Sequence, residues 1–318
     1  MHGIKTISCL SLSLFLTCLS SPAQKPISVS YSKDMKGDYQ FYCMNNAFCD
    51  YVLEISFTAL DNLNADHSLP YVTEVKPGNN KLFKLSKINK DAPEKFNYRI
   101  GYNKGCMHPA FNPDFTYLLP IAPGKEVQAY EMQNPGISQA GGQDQKDWYV
   151  IRLKMNPGDT LYAARRGTVT AVEVDNSQND EGQASAGFEN YIEIVHRDCS
   201  FGHYGVLRKN SAFVKPGQFV EAGQPIGLVG GDKYGRGSEA RFSVYYNEPR
   251  DSSAMEAGRD MSVYWTYIPL QFWTKRNGKG KLKNGANYTS EHTEAVLTQE
   301  MNKAEVKKWK AAHAKPVK

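Results

Sequence analysis

Between Ile27 and Met132 the chain alternates apolar and polar residues over short runs, each cut by turn residues. The runs are ISVSYS (27–32), YQFYCM (39–44), YVLEISF (51–57), YVTEV (71–75), KLFKLS (81–86), FNYRIGY (96–102), TYLLPI (116–121) and EVQAYEM (126–132). A period of two in segments rich in Tyr, Val, Ile and Phe predicts strands with one buried face. Pro77-Gly78 and Pro123-Gly124 punctuate them as turns. This density of short strands predicts an immunoglobulin-like β-sandwich over residues 24–133.

The stretch NPGISQAGGQDQKD (134–147) is poor in apolar residues and reads as a linker. A second β-rich block follows over 148–273, with strands expected at WYVIRLKM, TLYAA, GTVTAVEV, NYIEIVH, YGVLR, PIGLVG and ARFSVYY. A polar insertion, NSQNDEGQASAG (176–187), separates two of them. Residues 274–318 form a basic tail in which Ser290 is expected to cap a helix running to about Ala312. Leu297, Met301 and Ala304 lie on one stripe of that helix, and Val306, Trp309 and His313 on the next. The expected fold is all-β, in two β-rich domains, with a short C-terminal helix.

The N-terminus changes the cellular picture. Lys5, an apolar centre through residues 9–19, and small Ser21 and Ala23 predict a secretory signal over 1–23, cleaved after Ala23. Thr17 before Cys18 argues against a lipid anchor. Export makes disulfides permissible for the four cysteines left, Cys43, Cys49, Cys106 and Cys199. One bond among Cys43, Cys49 and Cys106 is expected, with Cys199 free. The formal charge of +5 is uneven, because eleven Lys or Arg against four Glu follow position 273. The tail is thus a candidate for peripheral contact with an anionic surface, and after an export signal that surface is wall or membrane, not nucleic acid.

The block Trp148–Tyr246 resembles the lysostaphin-like, LytM-type zinc peptidases of family M23. The resemblance rests on GDTLYAARRGTVTAV (158–172), ENYIEIVH (189–196), YGVL (204–207), FVKPGQFVEAGQPIGLVG (213–230) and ARFSV (240–244). It implies an M23-like β-rich domain over 148–273. Active members hold zinc with two His and one Asp, leave a position open for water, and use two further His; the metal lowers the pKa of that water. Aligned on these motifs, the five functional positions fall on Trp148, Arg152, Val206, Glu239 and Arg241, and none is a family residue. No His occurs anywhere in 109–195. A guanidinium ~4 Å from a unit charge contributes roughly 4 kcal/mol at an effective dielectric of ~20, and about twice that against a divalent ion. No bound metal is therefore expected, although the family uses zinc.

HRDCSFGH (196–203) offers another set of donors, His196, Asp198, Cys199 and His203, but reads as a hairpin turn with His203 facing away from Val206. Glu239 is expected to pair with Arg152 or Arg241. Trp148, Tyr149, Arg152, Tyr204, Glu239 and Arg241 form the candidate ligand cleft: guanidinium for carboxylates, aromatic faces for sugars. The expected function is a non-catalytic envelope protein of a bacterium, in the periplasm or at the wall, that binds peptidoglycan or regulates a cell-wall enzyme. An active M23-type peptidase or peptidoglycan hydrolase with altered ligands, and a purely structural envelope protein, are the alternatives.

Overall fold

The computed structural model describes residues 25–132, 144–176, 189–231, 238–249 and 263–314. The expected signal segment, most of the expected linker, and nearly all of the polar insertion lie outside them. Each alternating run of the first block forms a strand: β1 (Ile27–Lys33), β2 (Tyr39–Asn45), β3 (Tyr51–Asp61), β5 (Tyr71–Val75), β6 (Gly78–Lys87) and β7 (Lys95–Lys104), with a short β4 (Leu63–Ala65) added. They make two sheets, ordered β1-β2-β6-β4 and β5-β3-β7. Inward Phe41, Leu53, Ile55, Phe83 and Leu85 share one core between the sheets. Phe41 stacks on Phe83 and meets Phe57 of the other sheet edge-on.

The last two runs of that block go elsewhere. After β8 (Thr116–Leu118) and β9 (Glu126–Glu131) come β10 (Asp144–Lys146), β11 (Ile151–Lys154), β12 (Thr160–Tyr162), β13 (Gly167–Glu173), β14 (Tyr191–Val195) and β15 (Phe201–Gly205). The remainder are β16 (Phe219–Val220), β17 (Pro225–Leu228), β18 (Glu239–Pro249), β19 (Val263–Tyr267), β20 (Gln271–Thr274), β21 (Gly278–Gly280) and β22 (Asn287–Thr289). A ten-stranded sheet runs β16-β13-β14-β15-β18-β11-β9-β22, with β19 on β18 and β10 on β19. Thus β9, expected in the sandwich, pairs with β11, and β22, expected in the tail, pairs with β9 at the sheet edge. The expected linker ends in a strand, β10, parallel to β19. Alternation predicts a strand but not its partner. Val127 and Ala129 are apolar on the side that the second core buries.

The tail folds onto this body as two helices, α1 (Glu294–Leu297) and α2 (Lys303–His313), not one. Thr293 caps the first. Asn302 caps the second in a reciprocal capping box with Glu305, which forces a fresh start there. Ser290, the expected cap, instead donates its hydroxyl to the Ile121 carbonyl. Arg165 and Arg166 hold the segment down: Arg165 pairs with Glu300 and Asp198, and Arg166 with Glu305 and Glu221.

The two cores are joined where β7 ends. Lys104 reaches Glu193 of β14 at 2.7 Å, and its backbone carbonyl accepts from Asn247. Cys106 is bonded to Cys199, in the turn between β14 and β15. The cysteine expectation is therefore corrected. Cys43 faces the sandwich core and Cys49 the second core, so neighbours in sequence are separated in space and both are free. Burial pushes the Cys43 thiol up to about 11 and Cys49 to about 12, which keeps them unreactive.

Two buried groups make the junction acid-sensitive. Burial would raise the Glu193 carboxyl, but the Lys104 charge and hydrogen bonds from Lys104, Thr170 and Tyr245 hold it down at about 2. Burial, with Arg165 nearby, pushes the His196 imidazole down to about 3. Its Nδ1 lies 2.9 Å from the Arg166 carbonyl, so that nitrogen carries the proton.

Two outcomes are expected. Non-reducing peptide mapping recovers Cys106 linked to Cys199, and Cys199→Ser lowers the unfolding free energy by about 2–5 kcal/mol, since the bond closes a loop of 93 residues. In urea titrations stability falls as pH drops from about 6.5, where an unfolded His begins to bind a proton, towards 3. Glu193 adds a second loss as pH falls below about 4.5 towards 2. His196→Gln removes the first slope and leaves the second.

Candidate functional site

β18 lies between β15 and β11, and its alternation sorts two faces. Ala240, Phe242 and Val244 point into the core. Glu239 and Arg241 point to the other face. In register, Arg241 is opposite Arg152 of β11 and Gly205 of β15, while Glu239 is opposite Lys154. A polar strip therefore crosses three strands.

Glu239 ties the strip together. Its Oε2 accepts from Arg152 Nη1 at 3.1 Å and its Oε1 from Arg241 Nε at 2.8 Å. Arg241 Nη1 continues to Glu189 at 2.9 Å, and His203 Nε2 stands 3.5 Å from the other Glu189 oxygen. The three side chains on Glu239's bridge are 7%, 15% and 17% exposed, so these pairs are shielded from water. Burial would raise the Glu189 carboxyl; the hydrogen bond from His203 and the Arg241 charge hold it below the ordinary range. Gly205 makes the space for it, because a Cβ there would lie 2.5 Å from Glu189 Oε1. Tyr130 of β9 lies under the Arg152 guanidinium, 5.3 Å from ring centroid to Cζ.

The other expected cleft residues are placed differently. Tyr204 is fully buried against Phe242, and its hydroxyl accepts from the Ala164 amide; its neighbour His203 faces the strip. Trp148 is half-buried, donates Nε1 to the Met132 carbonyl and packs on Tyr267. Tyr149 is buried, and burial, then Glu131 and Tyr288, pushes its hydroxyl up to about 12. Val206 is buried at φ 66°, just past β15. His203 does face away from Val206, as expected, but it is Val206 that lies in the core and His203 that joins the strip. Glu189, Tyr130 and Lys154 were not singled out from the sequence. Lys154 was accessible to it, being two residues beyond Arg152 on one strand.

The donor set does not fit zinc. Arg152 and Arg241 supply N–H donors and no lone pair, and Glu239 offers the sole carboxylate between them. The donors of the 196–203 turn are dispersed: His196 is buried against Arg166, Asp198 accepts from Arg165 and Ser200, and Cys199 is disulfide-bonded. Among the described residues the one group of three with metal-ligand spacing is Asp50, Glu74 and Cys106, and the sulfur of Cys106 is tied up in the disulfide. What the strip can do is bind and orient anions. Both Glu239 oxygens are engaged by guanidinium.

Removing the bridging carboxylate strands the shielded Arg152, while Arg241 keeps Glu189. Glu239→Ala is expected to cost about 3–5 kcal/mol in urea unfolding, whereas replacing Arg152 and Glu239 together by Leu costs far less, because Arg241 still has its partner.

Residues 146–252 match the family model described as peptidase family M23. No curated protein sequence matches the chain. Among solved structures, the catalytic domain of the antimicrobial peptidase lysostaphin from Staphylococcus simulans is 24% identical over 38% of this chain and 78% of its own, with a TM-score of 0.26. Csd3 from Helicobacter pylori is 14% identical over 92% of this chain and 78% of its own, with a TM-score of 0.28. A putative glycyl-glycine endopeptidase LytM from Ruminococcus gnavus is 14% identical over 48% of this chain and 63% of its own, with a TM-score of 0.28. Over residues 146–252, a minor part of its length, the chain is therefore similar to peptidase family M23.

Proposed function

We propose that the M23 domain of this chain is a non-catalytic module of the bacterial cell envelope that binds peptidoglycan. The observation that carries this reading is the double engagement of Glu239 by Arg152 and Arg241, which are opposite each other on adjacent strands. The resemblance implies that these positions grip a metal in active relatives. Here they hold fixed positive charge and a carboxylate whose two oxygens are each bonded to a guanidinium. Such a surface lacks the means to activate water, and it keeps the means to attract anionic groups. The apolar face of β18 maintains the sheet independently of any metal. Export to the envelope follows from the N-terminal segment MHGIKTISCLSLSLFLTCLSSPAQ and accords with this ligand.

The test is a sedimentation assay with purified sacculi. The full mature chain is expected to co-sediment, to lose most of its binding in Arg152→Ala checked for folding by circular dichroism, and to release no soluble muropeptides with or without added zinc. Muropeptide release that Glu239→Gln abolishes would establish catalysis instead. Failure to sediment, with capture of an envelope protein, would replace peptidoglycan by a protein partner.

A further inference from the structure

A pocket of about 250 Å³ opens at one end of the polar strip, lined by Tyr130, Arg152, Lys154, Ser238 and Glu239. Its charges are unevenly committed. Glu239 is taken up by Arg152 Nη1 and by Arg241. Lys154, opposite Glu239 in register and exposed, has no ion pair among the described residues. Arg152 Nε is buried and without a hydrogen-bond partner among them.

That orphaned atom has a geometric meaning. The Nε–H and one Nη2–H of a guanidinium point the same way and form the edge that a carboxylate meets with two parallel hydrogen bonds. Arg152 spends its other edge, through Nη1, on Glu239. Tyr130 covers one face of the guanidinium. The free edge is what remains to be filled. A buried N–H left unpaired is costly, so a ligand that brings an acceptor is favoured beyond its charge alone. The ammonium of Lys154 supplies a second, mobile cation at the pocket mouth.

We infer that this pocket receives the free C-terminal carboxylate of a short peptide, seated side-on against Nε and Nη2 of Arg152 with Lys154 as its second partner. The inference rests on the peptidoglycan-binding reading of the same strip and specifies which part of the ligand is gripped. It makes the site a reader of peptide ends, where a cleaving site must accept a bond in mid-chain. Arg241 is not part of the grip, because Glu239 and Glu189 occupy it.

The experiment titrates the full mature chain with N-acetyl-alanyl-alanine as the free acid and as the C-terminal amide, followed by NMR of arginine Nε–H and backbone amides. The acid is expected to bind about tenfold more tightly than the amide and to shift one arginine Nε–H, absent in Arg152→Lys. Lys154→Met, at an exposed position, is expected to weaken the acid several-fold and leave the amide unchanged. Equal affinity for acid and amide, or an acid affinity unaffected by Lys154→Met, overturns the pocket. The two readings fail separately. Sacculus binding without acid–amide discrimination sinks the pocket alone, and discrimination without sacculus binding sinks peptidoglycan as the ligand while the carboxylate pocket stands.

Discussion

Two guanidinium groups face each other across β11 and β18, and like charges in that position repel. The arrangement is tenable because Glu239 stands between them with one oxygen for each, and because Glu189 takes the remaining side of Arg241. Everything proposed about the site follows from this constraint. It ties both carboxylate oxygens to guanidinium and leaves the buried Arg152 Nε, in a residue that lines the pocket, without a partner among the described residues.

The strip is positioned by parts of the chain far from it. β18 carries it on one face and Phe242 and Val244 on the other, so the core that buries those apolar residues also orients the charges. Tyr130 comes from β9, which the sequence pattern groups with the sandwich. Glu189 sits just before β14, whose Glu193 is anchored by Lys104 of the sandwich. The Cys106–Cys199 bond closes the same junction at the turn that follows β14. The sandwich and the M23-like block therefore meet through a shielded ion pair, a covalent link and a hydrogen bond to the Lys104 carbonyl, and the tail is clamped to the body by Arg165 and Arg166.

Much of this was legible in the residues. All eight alternating runs of the first block are strands, because a period of two in β-branched and aromatic residues has few other outcomes. The Glu239–Arg pairing was legible too, from charge complementarity two residues apart on a strand. What was not legible depends on partners distant in sequence. Nothing local in EVQAYE says that β9 joins β11, and nothing in the cysteine spacing says that positions 106 and 199 meet. Tyr204 was misplaced because the motif count put Val206, and with it Tyr204, in the cleft, whereas both are buried. The helix break, by contrast, was written in Asn302-x-x-Glu305, a capping box inside a run of good helix formers.

The central claim is that cations and a fully engaged carboxylate occupy the seats that the family resemblance gives to a metal and its base. Metal analysis of the natively purified mature chain, by plasma mass spectrometry after dialysis against excess zinc, tests it most directly. The account predicts zinc far below one ion per chain and the same content in Glu239→Ala. One zinc per chain, lost on replacing Glu239, would contradict it.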